Sequence, residues 1–374
     1  MYKTFKRITS NLIEIQKPLP VSVFSRTRMI LMKEGDVIVD AAQLDVLLRT
    51  GYYYSYSTTD ERIAQAGVEN VFDFIDHFKL NLDRLLDKIS ENQDRSGIAE
   101  QVRGMAQQIQ KAVSVDSSAA LAAFSLDSES PYKTLHHGHA AVVCEILARK
   151  SKVSEEDRLV MLSAMLTHDI GLLEVQNELD YLKEELDDDL RATIRTHPHE
   201  SEAMLIELGV QNPLWLRLVR NHHERIDGSG YPDGLQGDAL DPLLRIIILA
   251  DTFSAMVRDR PYRKAMLPRY ALRHMLVEQG EKIGADLTKL LIREIGLFPP
   301  GTIVTLNNGE TGVVAKPRGK KPFPVVMGFA DANGMPRESL ITRDTSEECY
   351  AIVGMEHFSA YKKWRGMFKK IWAV

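Results

Sequence analysis

Cysteine is nearly absent from this chain. Of 374 residues only Cys144 and Cys349 are cysteines, and they form neither a metal-binding nor a disulfide spacing, which fits a reducing compartment. An excess of one charge is also missing: 47 basic residues face 52 acidic ones, for a net charge of −5. Such a surface has no broad attraction for DNA, RNA or anionic lipid, so any phosphate recognition must be local. No window approaches the ~20 apolar residues of a membrane span. The first ten residues, Met-Tyr-Lys-Thr-Phe-Lys-Arg-Ile-Thr-Ser, lack the apolar stretch of a signal peptide. The expectation is a cytoplasmic globular protein with no nucleic-acid polymer as partner.

What the chain does have is histidine in one region. Eight of its eleven histidines lie between His136 and His223. The densest stretch, from Asn221, is Asn-His-His-Glu-Arg-Ile-Asp-Gly-Ser-Gly-Tyr-Pro. His222 and His223 close a segment with helical spacing (Leu214, Leu218, His222) and run into a glycine-rich turn, where backbone can pass close to a ligand. His168 and Asp169 follow the apolar run Leu159, Leu162, Met165, Leu166. His197 precedes Pro198, a residue tolerated in a helix's first turn, so His197 is expected at a helix start. Asp251 lies inside the apolar segment Leu243 to Val257. His136, His168, Asp169, His197, His222, His223 and Asp251 thus come from separate helices that must converge. Imidazoles and carboxylates in that number suit two divalent metals about 3.5–4 Å apart with open positions for substrate, as phosphodiester hydrolysis needs.

Around this region the pattern changes. Residues 1–57 read as a small β-rich module with one short helix, Ala41 to Arg49, stopped at Gly51. Residues 58–130 read as a helical connector: Val71, Phe74, Ile75, Phe78 and Leu82 share one face, and Ile98, Val102, Met105 and Ile109 another. Those helices, over 60–110, either form a homodimer surface or pack on their own domain. Residues 131–297 read as almost entirely helical by pattern. In 298–374, Thr302 to Leu306 and Thr311 to Ala315 flank an Asn-Asn-Gly-Glu turn and predict a β-hairpin, with Val325 to Phe329 as a third strand. Glu356 to Trp372 reads as a basic amphipathic helix that docks on its own domain or lies on a membrane surface.

The motifs His-Asp-Ile-Gly at 168–171, His-His-Glu-Arg-Ile-Asp-Gly-Ser-Gly-Tyr-Pro at 222–232, Asp251, and Arg260-Pro-Tyr-Arg-Lys264 resemble, in order and spacing, an HD-GYP domain over roughly 131–297. This is a bacterial branch of the HD metal-dependent phosphohydrolases. The resemblance implies a mainly α fold: an HD-domain helical bundle, here with a small β-rich N-terminal domain and a short C-terminal β-hairpin extension. It implies hydrolysis of cyclic di-GMP to pGpG or GMP through a metal-activated hydroxide, in second-messenger signalling. It matches the seven residues above to metal ligands, with His168 and Asp169 at the catalytic centre and Asp169 bridging two divalent ions, iron or manganese first, magnesium, nickel or zinc otherwise. It also matches Arg260 and Arg263, three apart on a helix edge, and the Gly230-Tyr231-Pro232 loop to substrate binding.

The chain departs from that family at three positions. Tyr132 stands where some members carry a glutamate for a third metal, which favours two. Leu172 replaces the lysine that usually approaches the scissile phosphate, and Ser254 replaces a common aspartate. Three readings follow. The first is an active but slowed phosphodiesterase; the second is a silent cyclic di-GMP receptor; the third is an HD hydrolase of another nucleotide, which the Gly-Tyr-Pro loop disfavours.

Overall fold

The computed structural model describes all residues except 1, 9–11, 26–28, 58–69, 92–95, 176–187, 261–262, 278–279, 319–320 and 373–374. The chain forms two compact units, Met1–Val68 and Glu69–Val374.

In the first unit, β1 (Tyr2–Arg7), β2 (Val23–Phe24), β3 (Ile30–Met32) and β4 (Tyr52–Ser57) form one sheet in the order β1-β4-β2-β3. Val37 to Val39 is not a strand; Val37 makes a single bridge to Pro18. Helix α1 (Ala41–Thr50) starts where the Asp40 carboxylate accepts from the Gln43 amide, and stops where the Gly51 amide donates to Leu47. A side chain at Gly51 would meet the Leu47 carbonyl at 2.4 Å, so the strand can leave the helix this tightly only with glycine there. Ile8, Ile13, Leu19, Val23, Ile38 and Leu47 make the core.

The second unit is a helical bundle with a C-terminal sheet. Helices α2 (Val71–Ser90) and α3 (Ile98–Ser125) bury the two apolar faces read from the sequence, including Phe74, Ile75, Phe78, Val102 and Ile109, against their own bundle. Inside α3 the Asp116 backbone is non-helical, and its carboxylate caps the continuing helix at Ser118 and Ala119. Helix α4 (Tyr132–Lys150) is buried from Thr134 to Ala148 on every side, which makes it the bundle's axis. Its polar residues there need partners: Glu145 receives Arg158, and His139 meets the Ser254 hydroxyl at 2.8 Å. Around it lie α5 (Glu155–Met165), α6 (Asp188–Glu207), α7 (Pro213–Arg220), α8 (Pro242–Met256), α9 (Pro268–Val277) and α10 (Ala285–Ile295). No helix among the described residues is long and apolar enough to cross a membrane.

The C-terminal hairpin of the sequence analysis is the centre of a larger sheet. Strands β5 (Ile303–Leu306), β6 (Thr311–Arg318), β7 (Lys321–Ala330), β8 (Pro336–Asp344) and β9 (Ile352–Glu356) pair antiparallel in the order β8-β7-β6-β5-β9. The basic tail is not one helix. It runs as a 3-10 turn (Phe358–Trp364), a single α-turn (Arg365–Phe368) and a second 3-10 turn (Lys369–Trp372). It docks on its own unit: Phe368 packs on Phe329, Trp372 stacks on Phe72 at 5.8 Å, and the Trp372 indole donates to the Ala315 carbonyl.

Candidate metal centre

All seven donor residues converge. His136 projects from the first turns of α4. His168 and Asp169 follow the end of α5, where the Thr167 hydroxyl accepts from the Trp215 indole and so ties this corner to α7. A 3-10 turn (Ile170–Leu172) comes next, and the Gly171 amide donates to Ser201 of α6. A side chain at Gly171 would meet the His197 carbonyl at 2.8 Å; glycine therefore sets how closely α6 approaches Asp169. His222 and His223 leave the end of α7, and Asp251 comes from the buried face of α8.

The Asp169 carboxylate spans two groups of imidazoles. Its Oδ1 lies 3.0 Å from His197 Nε2 and 3.3 Å from His222 Nε2. Its Oδ2 lies 3.2 Å from His168 Nε2 and 3.5 Å from His136 Nε2. Asp251 Oδ1 completes the second group at 3.1 Å from His136 and 3.6 Å from His168, while Oδ2 faces His223 Nδ1 at 3.8 Å. Donor atoms close enough to share one ion form an outer set, Asp169, His197, His222 and His223, an inner set, His136, His168 and Asp251, and a third group, His137, His168 and Asp169, that overlaps both.

Backbone contacts fix the tautomers. His168, His197 and His222 each donate Nδ1–H to the carbonyl three residues earlier: Met165 at 2.8 Å, Ile194 at 2.6 Å and Val219 at 2.6 Å. A neutral ring so held presents a bare Nε2 lone pair inward. His197 Nε2 then faces His222 Nε2 at 3.2 Å, and both face a carboxylate oxygen. Lone pairs packed this closely repel unless a cation lies among them, so the donor set fits divalent metal. The electrostatics agree. Without a cation the rings would take up protons instead: burial alone would raise the Asp169 carboxyl, but the charge on a protonated His168 and hydrogen bonds from His136, His168 and His197 hold it well below the usual range. Burial would lower His168, but Asp169 and Asp251 push it up to about 10. A metal bound there would take the place of that proton. Burial and neighbouring His222 keep His223 well below its usual value.

His136 is held differently. Its Nδ1 has no hydrogen-bond partner among the described residues, and its ring instead stacks on Tyr132 at 5.3 Å and 12°. The Tyr132 hydroxyl accepts from Arg260 Nε at 2.9 Å, so Arg260 reaches the site through Tyr132. Arg260 and Arg263 do not share a helix edge. They pair backbone to backbone in a tight reversal after α8, and Arg263 donates its guanidinium to the Ala255 carbonyl.

The position of His197 also differs from expectation. Pro198 does not open a helix; it sits inside α6, and His197 with it. The Gly230-Tyr231-Pro232 loop packs its tyrosine on His223 at 4.9 Å, with Arg195 5.5 Å from that ring. Two residues escaped the sequence analysis. Glu224, fully buried, accepts from the amides of Asp233, Gly234 and Leu235 and so shapes this loop. A charged residue directly after paired histidines was the signal. His137, fixed by the Lys133 carbonyl at 2.6 Å and pushed down to about 3 by burial, leaves Nε2 unpartnered beside His168 and Asp169.

Comparison with known proteins finds relatives in sequence and in fold. A cyclic di-GMP phosphodiesterase of Pseudomonas aeruginosa is 28% identical over 244 residues, 62% of this chain and 58% of that one. A 3'3'-cGAMP-specific phosphodiesterase of Vibrio cholerae is 34% identical over 174 residues, 46% of this chain and 38% of that one. The chain thus spans less than two thirds of either relative. In fold it is similar to Bd1817, a HDG"Y"P protein from Bdellovibrio bacteriovorus, with a TM-score of 0.51 at 14% identity over 77% of this chain and 98% of that one. The HD domain model matches residues 92–287, more than half of the sequence, from within the connector helices to α10, and the chain belongs to the HD-domain family.

Proposed function

We propose that this chain is a metal-dependent phosphodiesterase that opens cyclic di-GMP to pGpG or GMP. One observation carries the reading: a single carboxylate, Asp169, lies between two sets of inward-facing imidazoles. Under it, His136, His168 and Asp251 would hold one ion, and His197, His222 and His223 would hold another. Bound there, two divalent ions activate water and offset the phosphate charge. Buried walls around the inner set exclude bulk solvent, which strengthens every charge interaction in the site. The outer set opens toward the Gly230-Tyr231-Pro232 loop, which together with Arg260 and Arg263 is assigned to the nucleotide. The names of the Pseudomonas and Vibrio relatives support a cyclic dinucleotide as the substrate class.

A second reading, a silent cyclic di-GMP receptor, rests on Leu172. It occupies the 3-10 turn directly after Asp169, where the resemblance calls for a lysine. Losing one cation near the scissile group costs a few kcal/mol, or roughly a hundredfold in rate. That slows hydrolysis without removing its mechanism. The deciding experiment measures bound metal on anaerobically purified protein and follows product from cyclic di-GMP and 3'3'-cGAMP. Slow, metal-dependent appearance of pGpG or GMP, faster in Leu172→Lys, is expected. Full metal occupancy with nucleotide binding but no product over many hours leaves the receptor reading.

A further inference from the structure

We propose that Pro198 is a positioning residue: it reserves the Ile194 carbonyl for His197 and thereby fixes the tautomer that His197 presents to Asp169. The inference rests on the reading of His197 as a metal ligand.

In an α-helix each amide donates to the carbonyl four residues back, so residue 198 would serve Ile194. Proline has no amide hydrogen, and its ring crowds that same carbonyl. Helix α6 runs from Asp188 to Glu207 with Pro198 inside it, an unfavourable place for proline. The freed carbonyl is the one that His197 Nδ1–H reaches at 2.6 Å.

The other histidines show that this is not the ordinary arrangement. His77 and His137, inside α2 and α4 with no proline after them, reach back four residues, to Asp73 at 2.7 Å and Lys133 at 2.6 Å. Contacts three residues back occur at His168 and His222, both just beyond a helix end, where carbonyls lack intrahelical donors. His197 has their geometry without a helix end. Proline supplies in mid-helix the free acceptor that a terminus supplies elsewhere. Gly171, where a side chain would meet the His197 carbonyl at 2.8 Å, lets α6 approach this corner closely, and its amide ties the corner to Ser201 of α6.

The test is Pro198→Ala in the full chain, which restores the amide hydrogen and removes the ring. Mn2+ binding is measured by calorimetry, the melting temperature of metal-free protein is recorded, and long-range 15N NMR reads the His197 tautomer. The expected result is one Mn2+ site weakened by about tenfold or more, loss of the single Nδ1–H tautomer, and a melting temperature equal to or above that of the parent. Weakened Mn2+ binding with a lowered melting temperature overturns the proposal, because proline is then merely structural. Unchanged Mn2+ affinity also overturns it. His197→Ala separates the two layers of inference. If that variant loses an Mn2+ site while Pro198→Ala does not, only the role of Pro198 falls. If His197→Ala leaves Mn2+ binding intact, the ligand reading falls and the inference with it.

Discussion

The two halves of the centre are built from the same chemistry on different supports. The inner set stands on α4, the corner after α5, and α8; its three donor side chains are largely buried, none more than 9% exposed. The outer set stands on α6 and the end of α7, and its His223 side chain is 27% exposed beneath Tyr231. The inner half is walled by apolar packing, the outer half by a loop that hangs on one buried carboxylate. If each set held an ion, as proposed, burial and access would be divided between them: the inner position would suit retention, the outer one exchange and contact with substrate.

The most drastic way to break this division is to remove what the halves share. Asp169→Ala should empty both positions and lower the hydrolysis rate by roughly a thousandfold or more, ~4 kcal/mol of transition-state stabilisation. Elemental analysis of the purified variant checks it, and full metal content would sink the bridging assignment. Glu224→Ala attacks only the outer half. It leaves three loop amides without their acceptor, at about 1–3 kcal/mol each where they stay buried, so stability should fall by several kcal/mol and outer-site affinity with it. One retained ion per chain is the expected readout; loss of both would mean that the loop supports the inner half too.

A chelator should sharpen the comparison without mutation. Competition with a moderate chelator is expected to remove metal in two phases, the outer ion first, and His197→Ala should abolish only the fast phase. A single phase would erase the distinction. The smallest effect concerns acid. Hydrogen bonds from Arg220 and Asn221 lower Asp233, at the loop's end, from 3.8 to about 2. Because the folded value is the lower one, this group stabilises the loop above pH ~4, and the contribution fades as pH falls toward 2. The pair is partly exposed, so screening leaves only a modest gain. Between pH 5 and 3 the hydrogen-exchange protection factors of the loop amides, each taken against the intrinsic rate at that pH, should fall before those of α4 do.

Much of the site was legible in sequence because its donors sit at fixed offsets in short motifs, and those offsets survive folding. The helical class was legible for the same reason: apolar periodicity over 71–110 and 131–297 dominates local choice. What escaped depends on contacts between segments distant in sequence. Pro198 reads as a helix start by propensity, and only the His197 side chain bonded to Ile194 shows why it is tolerated inside. Arg260 and Arg263 look like helix neighbours at a spacing of three, but α8 ends at Met256 and they fall in a reversal. The tail from Phe358 has helical spacing of aromatics, yet its shape follows the surfaces of Phe329 and Phe72 on which it lies. Periodicity says that a face is apolar; it does not say what covers it.

That tail carries a consequence for synthesis. Arg365 donates to Asp76 across 289 residues of chain, and Trp372 covers Phe72 of the same helix. At ribosomal speeds of about 5–20 residues per second, α2 emerges roughly 15–60 seconds before the segment that seals it. Within that interval every donor of the centre is made, while the apolar flank of α2 still lacks its lid. The clasp between α2 and the tail is thus a late, long-range step in maturation, and it ties completion of the whole unit to a segment that contributes no donor to the centre.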